Sequence, residues 1–167
     1  MQKSNIKIIE GNLLDFPNDI DFIAHSCNTH NVMGAGIARE IKNRYPNAYS
    51  ADCHAMMEGD NVLGNFSFAV TDATQNKGIF NMYTQDKIGG ERAVNYEAFY
   101  TALENVANYI EWQSKHECEK KVLGLPFGIS CGLAGGSWGI IFSILNYILF
   151  DRKFKTYIIR YNETTTI

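Results

Sequence analysis

Val122-Leu123-Gly124-Leu125-Pro126-Phe127-Gly128-Ile129-Ser130-Cys131-Gly132-Leu133-Ala134-Gly135-Gly136-Ser137-Trp138 carries three structural instructions in one run. Its first four residues are apolar without alternation, which fits a strand buried on both faces. Glycines then replace side chains at 128, 132, 135 and 136. Beyond Ser137 the residues Ile140, Ile141, Ile144, Leu145, Ile148 and Leu149 make a broad helical stripe. A doubly buried strand that feeds a loop and then a helix implies a sheet covered on both sides.

The rest of the chain repeats that alternation. Short β-branched or aromatic runs bounded by turn residues predict strands at 6–10, 22–26, 66–72, 78–84, 122–125 and 156–161. Helical spacing predicts helices at 37–45, 48–58, 96–115 and 137–150; in the third, Phe99, Leu103, Val106 and Ile110 share one face. Such stripes are core and carry no functional information. Strands alternating with helices, opened by a first pair compatible with antiparallel pairing, predict an α/β fold. Its form is a three-layer α/β/α sandwich with a mixed, mostly parallel six-stranded sheet. Pro17, Pro46 and Pro126 fall at element boundaries and no linker or repeat interrupts the chain, so residues 1–167 read as a single domain.

Composition narrows the function. Fifteen Lys and Arg stand against 18 Asp and Glu, a net charge of -3, which removes the basic field that bulk nucleic-acid binding needs. An anionic ligand must then be held by backbone N–H groups and helix N-termini. Cys27, Cys53, Cys118 and Cys131 form no close pair, and no signal segment precedes the first strand, which reads as a reduced, cytoplasmic protein. The longest apolar stretch, residues 138–150, is well short of the roughly 20 residues of a membrane helix. His25, Cys27 and His30 do not have zinc-ligand spacing, so no metal or cofactor is expected.

Open α/β sheets bind ligands beyond the carboxyl ends of their strands. The opening run is one glycine loop placed there. The other is His25-Ser26-Cys27-Asn28-Thr29-His30-Asn31-Val32-Met33-Gly34-Ala35-Gly36-Ile37, between a strand and a helix. Together they can present N–H groups and two helix dipoles to one diphosphate, each dipole worth about 0.3–1 kcal/mol at an exposed site. Neither has the P-loop or dinucleotide spacing, and on spacing alone glycines that only make tight turns fit as well.

At these residues the sequence resembles the macrodomain family, modules that bind ADP-ribose. The resemblance rests on both loops and on Glu10-Gly11-Asn12-Leu13-Leu14, Asn81-Met82-Tyr83-Thr84-Gln85 and Asn95-Tyr96-Glu97-Ala98. It is greatest for members that process ADP-ribose 1''-phosphate, which share the His-Ser-Cys-Asn opening of the first loop. The resemblance implies that Asn28 contacts the distal ribose. Val32, Met33, Gly34, Ala35, Gly36 and Ile37 then form the first diphosphate loop, and Ser130, Cys131, Gly132, Leu133, Ala134 and Gly135 the second. Asn12, beside Leu13, stands where many relatives have an adenine-binding Asp; Tyr83 and Thr84 border the distal ribose. Trp138 caps the second loop or is a core aromatic.

The implied activity is binding of ADP-ribose and metal-independent hydrolysis of ADP-ribose 1''-phosphate to ADP-ribose and phosphate. The alternatives are a non-catalytic ADP-ribose reader and an ADP-ribosyl hydrolase acting on modified protein or nucleic acid. The hydrolase is disfavoured because Gln85 and Ala134 replace a catalytic Lys and Asp of such relatives. Ser137 replaces an Asp, although Ser is itself an N-cap worth about 1 kcal/mol over Ala. His25 is the candidate proton-exchanging group and Asn28 its partner in orienting ribose or water; a core histidine is the competing assignment for His25. Cys131, near a helix N-terminus, is open to a lowered pKa, but packing is the preferred role. His30, His54 and His116 read as surface residues and Cys27 as buried. A monomer is the default expectation.

Overall fold

The computed structural model describes residues 4–88 and 92–162; the opening Met1 to Lys3, part of the segment read above as lacking a signal, lies outside them. Strands β1 (Ile6–Glu10), β2 (Phe22–Asn28), β3 (Phe66–Asp72), β4 (Lys77–Gln85), β5 (Val122–Pro126) and β6 (Lys155–Arg160) alternate with four helices. These are α1 (Gly36–Arg44), α2 (Pro46–Glu58), α3 (Tyr96–Glu117) and α4 (Trp138–Leu149). Each lies where the hydrophobic spacing puts it. Proline at the first position of α2 sets the break from α1, since its ring is tolerated there and not in a helix interior.

The sheet runs β1-β6-β5-β2-β4-β3 and every pairing is parallel except β3 with β4. The antiparallel pair expected at the start of the chain is therefore elsewhere. β1 lies at the far edge beside β6, with Ile6 opposite Thr156. Residues 11–21 do not turn back as a hairpin. They form a short 3-10 turn at Leu13–Asp15, which buries Leu13 and Leu14, and then redirect through left-handed Phe16, Asn18 and Asp19.

One face of the sheet packs Phe22, Phe80, Met82, Leu123, Leu125 and Ile158 against α3 and α4 through Phe99, Leu103, Val106, Ile141 and Leu145. The other packs Ile23, Ile79 and Ile159 against Leu13, Leu14, Ile41 and Ala48. Gly124 is required by this second face: a Cβ there would stand 2.7 Å from Leu13 Cδ1 and 2.8 Å from Ile20 Cδ1. The three layers and the mixed six-stranded sheet are as expected. Among the described residues no helix is long and apolar enough to cross a membrane.

Two connections fix where a ligand can sit. From β2 the chain passes through α1 and α2, on the second face, toward β3 and β4. From β5, the neighbour of β2, it passes through α4, on the opposite face, to β6. Adjacent strands whose chains leave in opposite directions open a crevice at their carboxyl ends.

Candidate anion-binding crevice

Both glycine loops rise from that crevice. The first is held by Asn28, whose Oδ1 accepts from the amides of His30 at 2.9 Å and Val32 at 3.3 Å, while Nδ2 donates to Val32 O at 2.8 Å. Met33 turns inward and is buried with Cys27, Ala55 and Tyr83. Gly34, Ala35 and Gly36 are left exposed, with Gly36 at φ 55, and Ile37 returns to the core beside Ile41. The second loop is tied to β2 by the Ser26 and Ser130 hydroxyls, 2.6 Å apart, with Ser130 itself left-handed at φ 62. Ala134 is buried, its carbonyl accepting from the amides of Ala93 and Val94; Gly132, Leu133 and Gly135 are exposed.

The helix starts at the crevice are unlike the one at α3. Asn95 caps α3, accepting from Ala98 N at 2.9 Å. The N-cap positions of α1 and α4, Ala35 and Ser137, make no side-chain cap bond. Ser137 thus occupies the cap position without the capping bond expected of it; its amide donates to Tyr96 Oη at 2.8 Å. Among the described residues the amides of Met33, Gly34 and Ala35, and of Gly132, Leu133 and Ala134, have no protein acceptor. Free helix-terminal and loop amides of this kind are donors for an anion. Val32 and Leu133, both exposed, supply an apolar lip to each loop.

Several expected site residues face elsewhere. The side chain of His25 is not in the crevice: it is fully buried, and its Nε2 donates to Asn81 Oδ1 at 2.7 Å. Burial pushes its pKa down to about 4, against a raising influence from that hydrogen bond, so it is a neutral core imidazole. Strand alternation explains this, because His25 points to the α2 face and its neighbour Ser26 to the loop face. Tyr83 is also fully buried, its hydroxyl donating to Asp52 Oδ1 at 2.8 Å. Thr84 is buried at an irregularity where β4 carries one more residue than β2, and its hydroxyl has no partner. Asn12 spends its Oδ1 on the amide of Leu14 at 3.0 Å, capping the 3-10 turn, and the Leu13 side chain is in the core. The Cys131 thiol is raised by burial rather than lowered, and it donates to Ile129 O at 3.3 Å. Trp138 stacks, half-buried, on Phe127 and Phe142.

The titratable pair beside the crevice is one not singled out from the sequence. His30, exposed as expected, bonds through Nε2 to the backbone O of Asp86 and lies 3.5 Å from Asp86 Oδ1. The Thr29 hydroxyl donates to that carboxylate at 2.5 Å, and the Thr29 amide donates to Gln85 O at 3.0 Å, joining the ends of β2 and β4. Nothing in the sequence brings residues 30 and 86 together; the parallel register of β2 and β4 does.

Loop 2 is also closed tightly behind its exposed face. A Cβ at Gly136 would stand 2.5 Å from Ser130 O and 3.1 Å from Val94 Cγ1. Gly136→Val is expected to destabilise the protein by about 1–3 kcal/mol through this overpacking. Thermal melting checks it, and an unchanged melting temperature would show that the loop yields freely.

The fold and these loops define a class, α/β/α domains that present backbone amides in two glycine loops at a sheet switch point. No family model matches the sequence. It is 30% identical over 143 residues to an uncharacterized 17.5 kDa protein from the tk-vs intergenic region of Enterobacteria phage T4, covering 84% of this chain and 88% of that one. It is 28% identical over 120 residues to the ADP-ribose 1''-phosphate phosphatase of Candida albicans, covering 70% of this chain and 74% of the relative. Among solved structures, a macrodomain protein from Streptomyces coelicolor superposes with a TM-score of 0.71 at 25% identity, over 95% of this chain and 99% of that one. The chain has the macrodomain fold.

Proposed function

We propose that the crevice binds ADP-ribose through its diphosphate and that the protein hydrolyses ADP-ribose 1''-phosphate to ADP-ribose and phosphate. The observation that carries the binding step is the pair of glycine loops whose helices start without side-chain caps and in which the amides of Met33, Gly34 and Ala35, and of Gly132, Leu133 and Ala134, have no protein acceptor. Two negative phosphates placed there satisfy donors that the fold leaves open, with no Lys or Arg in either loop. The likeness to the Candida albicans phosphatase supports the ligand class and the reaction.

Hydrolysis of the monoester needs water to attack phosphorus, the bond between phosphorus and the ribose oxygen to break, and that oxygen to receive a proton. His25 is sealed in the core. The proton-exchanging role falls instead to His30, oriented by Asp86 next to Asn28, where the distal ribose would end. Asn28, already holding the first loop, orients the ribose.

Phosphorus NMR of ADP-ribose 1''-phosphate incubated with the protein and EDTA tests this. The monoester resonance is expected to be replaced by free phosphate while the two diphosphate resonances persist. Shifted or broadened resonances without phosphate would establish a reader that binds and does not turn over. Ala134 and Ser137, which put no carboxylate in the second loop, favour that second reading.

A further inference from the structure

Beneath the first loop lies a buried polar chain that anion binding does not itself use. Asp52, on α2, is 1% exposed and shares the buried stripe of Ala48 and Ala55. Its Oδ1 accepts from the Tyr83 hydroxyl at 2.8 Å and its Oδ2 from Asn31 Nδ2 at 2.8 Å. Tyr83 Oη lies 2.9 Å from Ser67 Oγ, and Asn81 Nδ2 donates to Ser67 Oγ at 2.9 Å and to Ala48 O at 2.9 Å. His25 completes the chain through Asn81 Oδ1.

Donor counting gives the chain a direction. An ionised carboxylate has no proton to give, so the phenol commits its only proton to Asp52 and receives that of Ser67. Asn81, with both amide hydrogens committed, accepts from His25. Donors thus run from His25 through Asn81, Ser67 and Tyr83 toward Asp52, which is left with one oxygen for Asn31. Every member from His25 to Asp52 sits between the sheet and α2, and Asn31 is the member in the glycine loop.

Asn31 is where that loop turns. Its backbone is left-handed, φ 57, between the two Asn28-held residues His30 and Val32 and two positions before the inward-turned Met33, and its Oδ1 accepts from Cys53 Sγ at 3.4 Å. We infer that Asp52 is a positioning residue: by holding the Asn31 side chain from inside the fold, it sets the orientation in which Gly34, Ala35 and Gly36 present their amides to a diphosphate. This rests on the anion-binding reading of the crevice. A carboxylate this deeply buried is costly to keep unless its partners are fixed.

The test is a double-variant cycle read by calorimetry with ADP-ribose. Asp52→Asn keeps an oxygen for Tyr83 but turns an NH2 toward the NH2 of Asn31, breaking that link. Asn31→Gly breaks it from the other side while accepting φ 57 without strain. Each is expected to raise Kd about tenfold, and the double variant no further, since coupled residues are not additive. Amide exchange at residues 34–36 should quicken in both single variants while the central strands stay protected, which a general loss of stability would not produce. Losses that multiply, unchanged Kd values or unaltered exchange at 34–36 would overturn the role of Asp52. Should Asp52→Asn fail to fold, Asn31→Gly, at a partly exposed loop residue, decides alone by its Kd and exchange. An unvaried protein that gives no heat with ADP-ribose would overturn the crevice reading itself.

Discussion

Alanine at position 30 is expected to slow phosphate release from ADP-ribose 1''-phosphate by about 10²–10⁴-fold, the range a positioned acid or base contributes. Stability should stay within about 0.5 kcal/mol, because His30 is an exposed loop residue whose side-chain partner, Asp86, is exposed too, and alanine keeps the backbone amide that Asn28 holds. His30→Gln is expected to lose as much rate, since it keeps polarity without proton exchange, and Asp86→Asn to lose less, since the backbone O of Asp86 still holds the ring. Initial rates of phosphate release at saturating substrate, with binding measured separately, distinguish a slower chemical step from weaker binding. Full activity in His30→Ala would remove this residue from the mechanism.

The second large effect belongs to His25 and appears in stability. In the unfolded chain its imidazole takes up a proton near the ordinary value of 6.5; in the folded protein it does so only at about 4. Between those values the unfolded chain binds more protons, so stability is whole above about pH 6.5 and drains away as the pH falls toward 4. The full loss is about 3 kcal/mol, or about 6–12 °C in melting temperature for a chain of this length. Asp52 and Asp21, whose carboxyl pKa values are raised by burial, act with the opposite sign and offset part of the loss at the acid end. His25→Gln, which retains a donor for Asn81 and cannot titrate, should flatten the melting profile over this window. Parallel profiles in the two proteins would mean that His25 is charged, or solvated, in the fold.

How much of this was legible in the sequence differs by level. The strands and helices were, because period-two and period-3.6 spacing report directly which side of an element faces the core, and Gly36 and Pro46 mark helix starts. Strand order was not. Whether β1 pairs with β2 or crosses to β6 depends on Leu13 and Leu14 burying themselves over Ile20 and Gly124, a contact with no local signature. The two loops were legible as glycine at strand ends. Their side chains were misjudged where residue type was trusted over register: His25 and Tyr83 sit one step out of phase with the crevice, while Ser26, in phase, went unremarked. Asp52 left a signal, a charged residue at helical spacing between the buried alanines 48 and 55. The pairing of His30 with Asp86 left none, since it exists only through the register of β2 with β4.

The crevice is written in peptide groups. Many phosphate sites are silenced when acetylation removes the charge of a lysine or methylation blocks the paired hydrogen bonds of an arginine. Residues 32–37 and 126–137 hold neither lysine nor arginine, so such modification has no target on the loops themselves. For the same reason added salt, which competes for exposed cationic side chains, should weaken this site far less than one built on a basic patch. A surface of this kind loses its ligand by changing shape, not by changing charge.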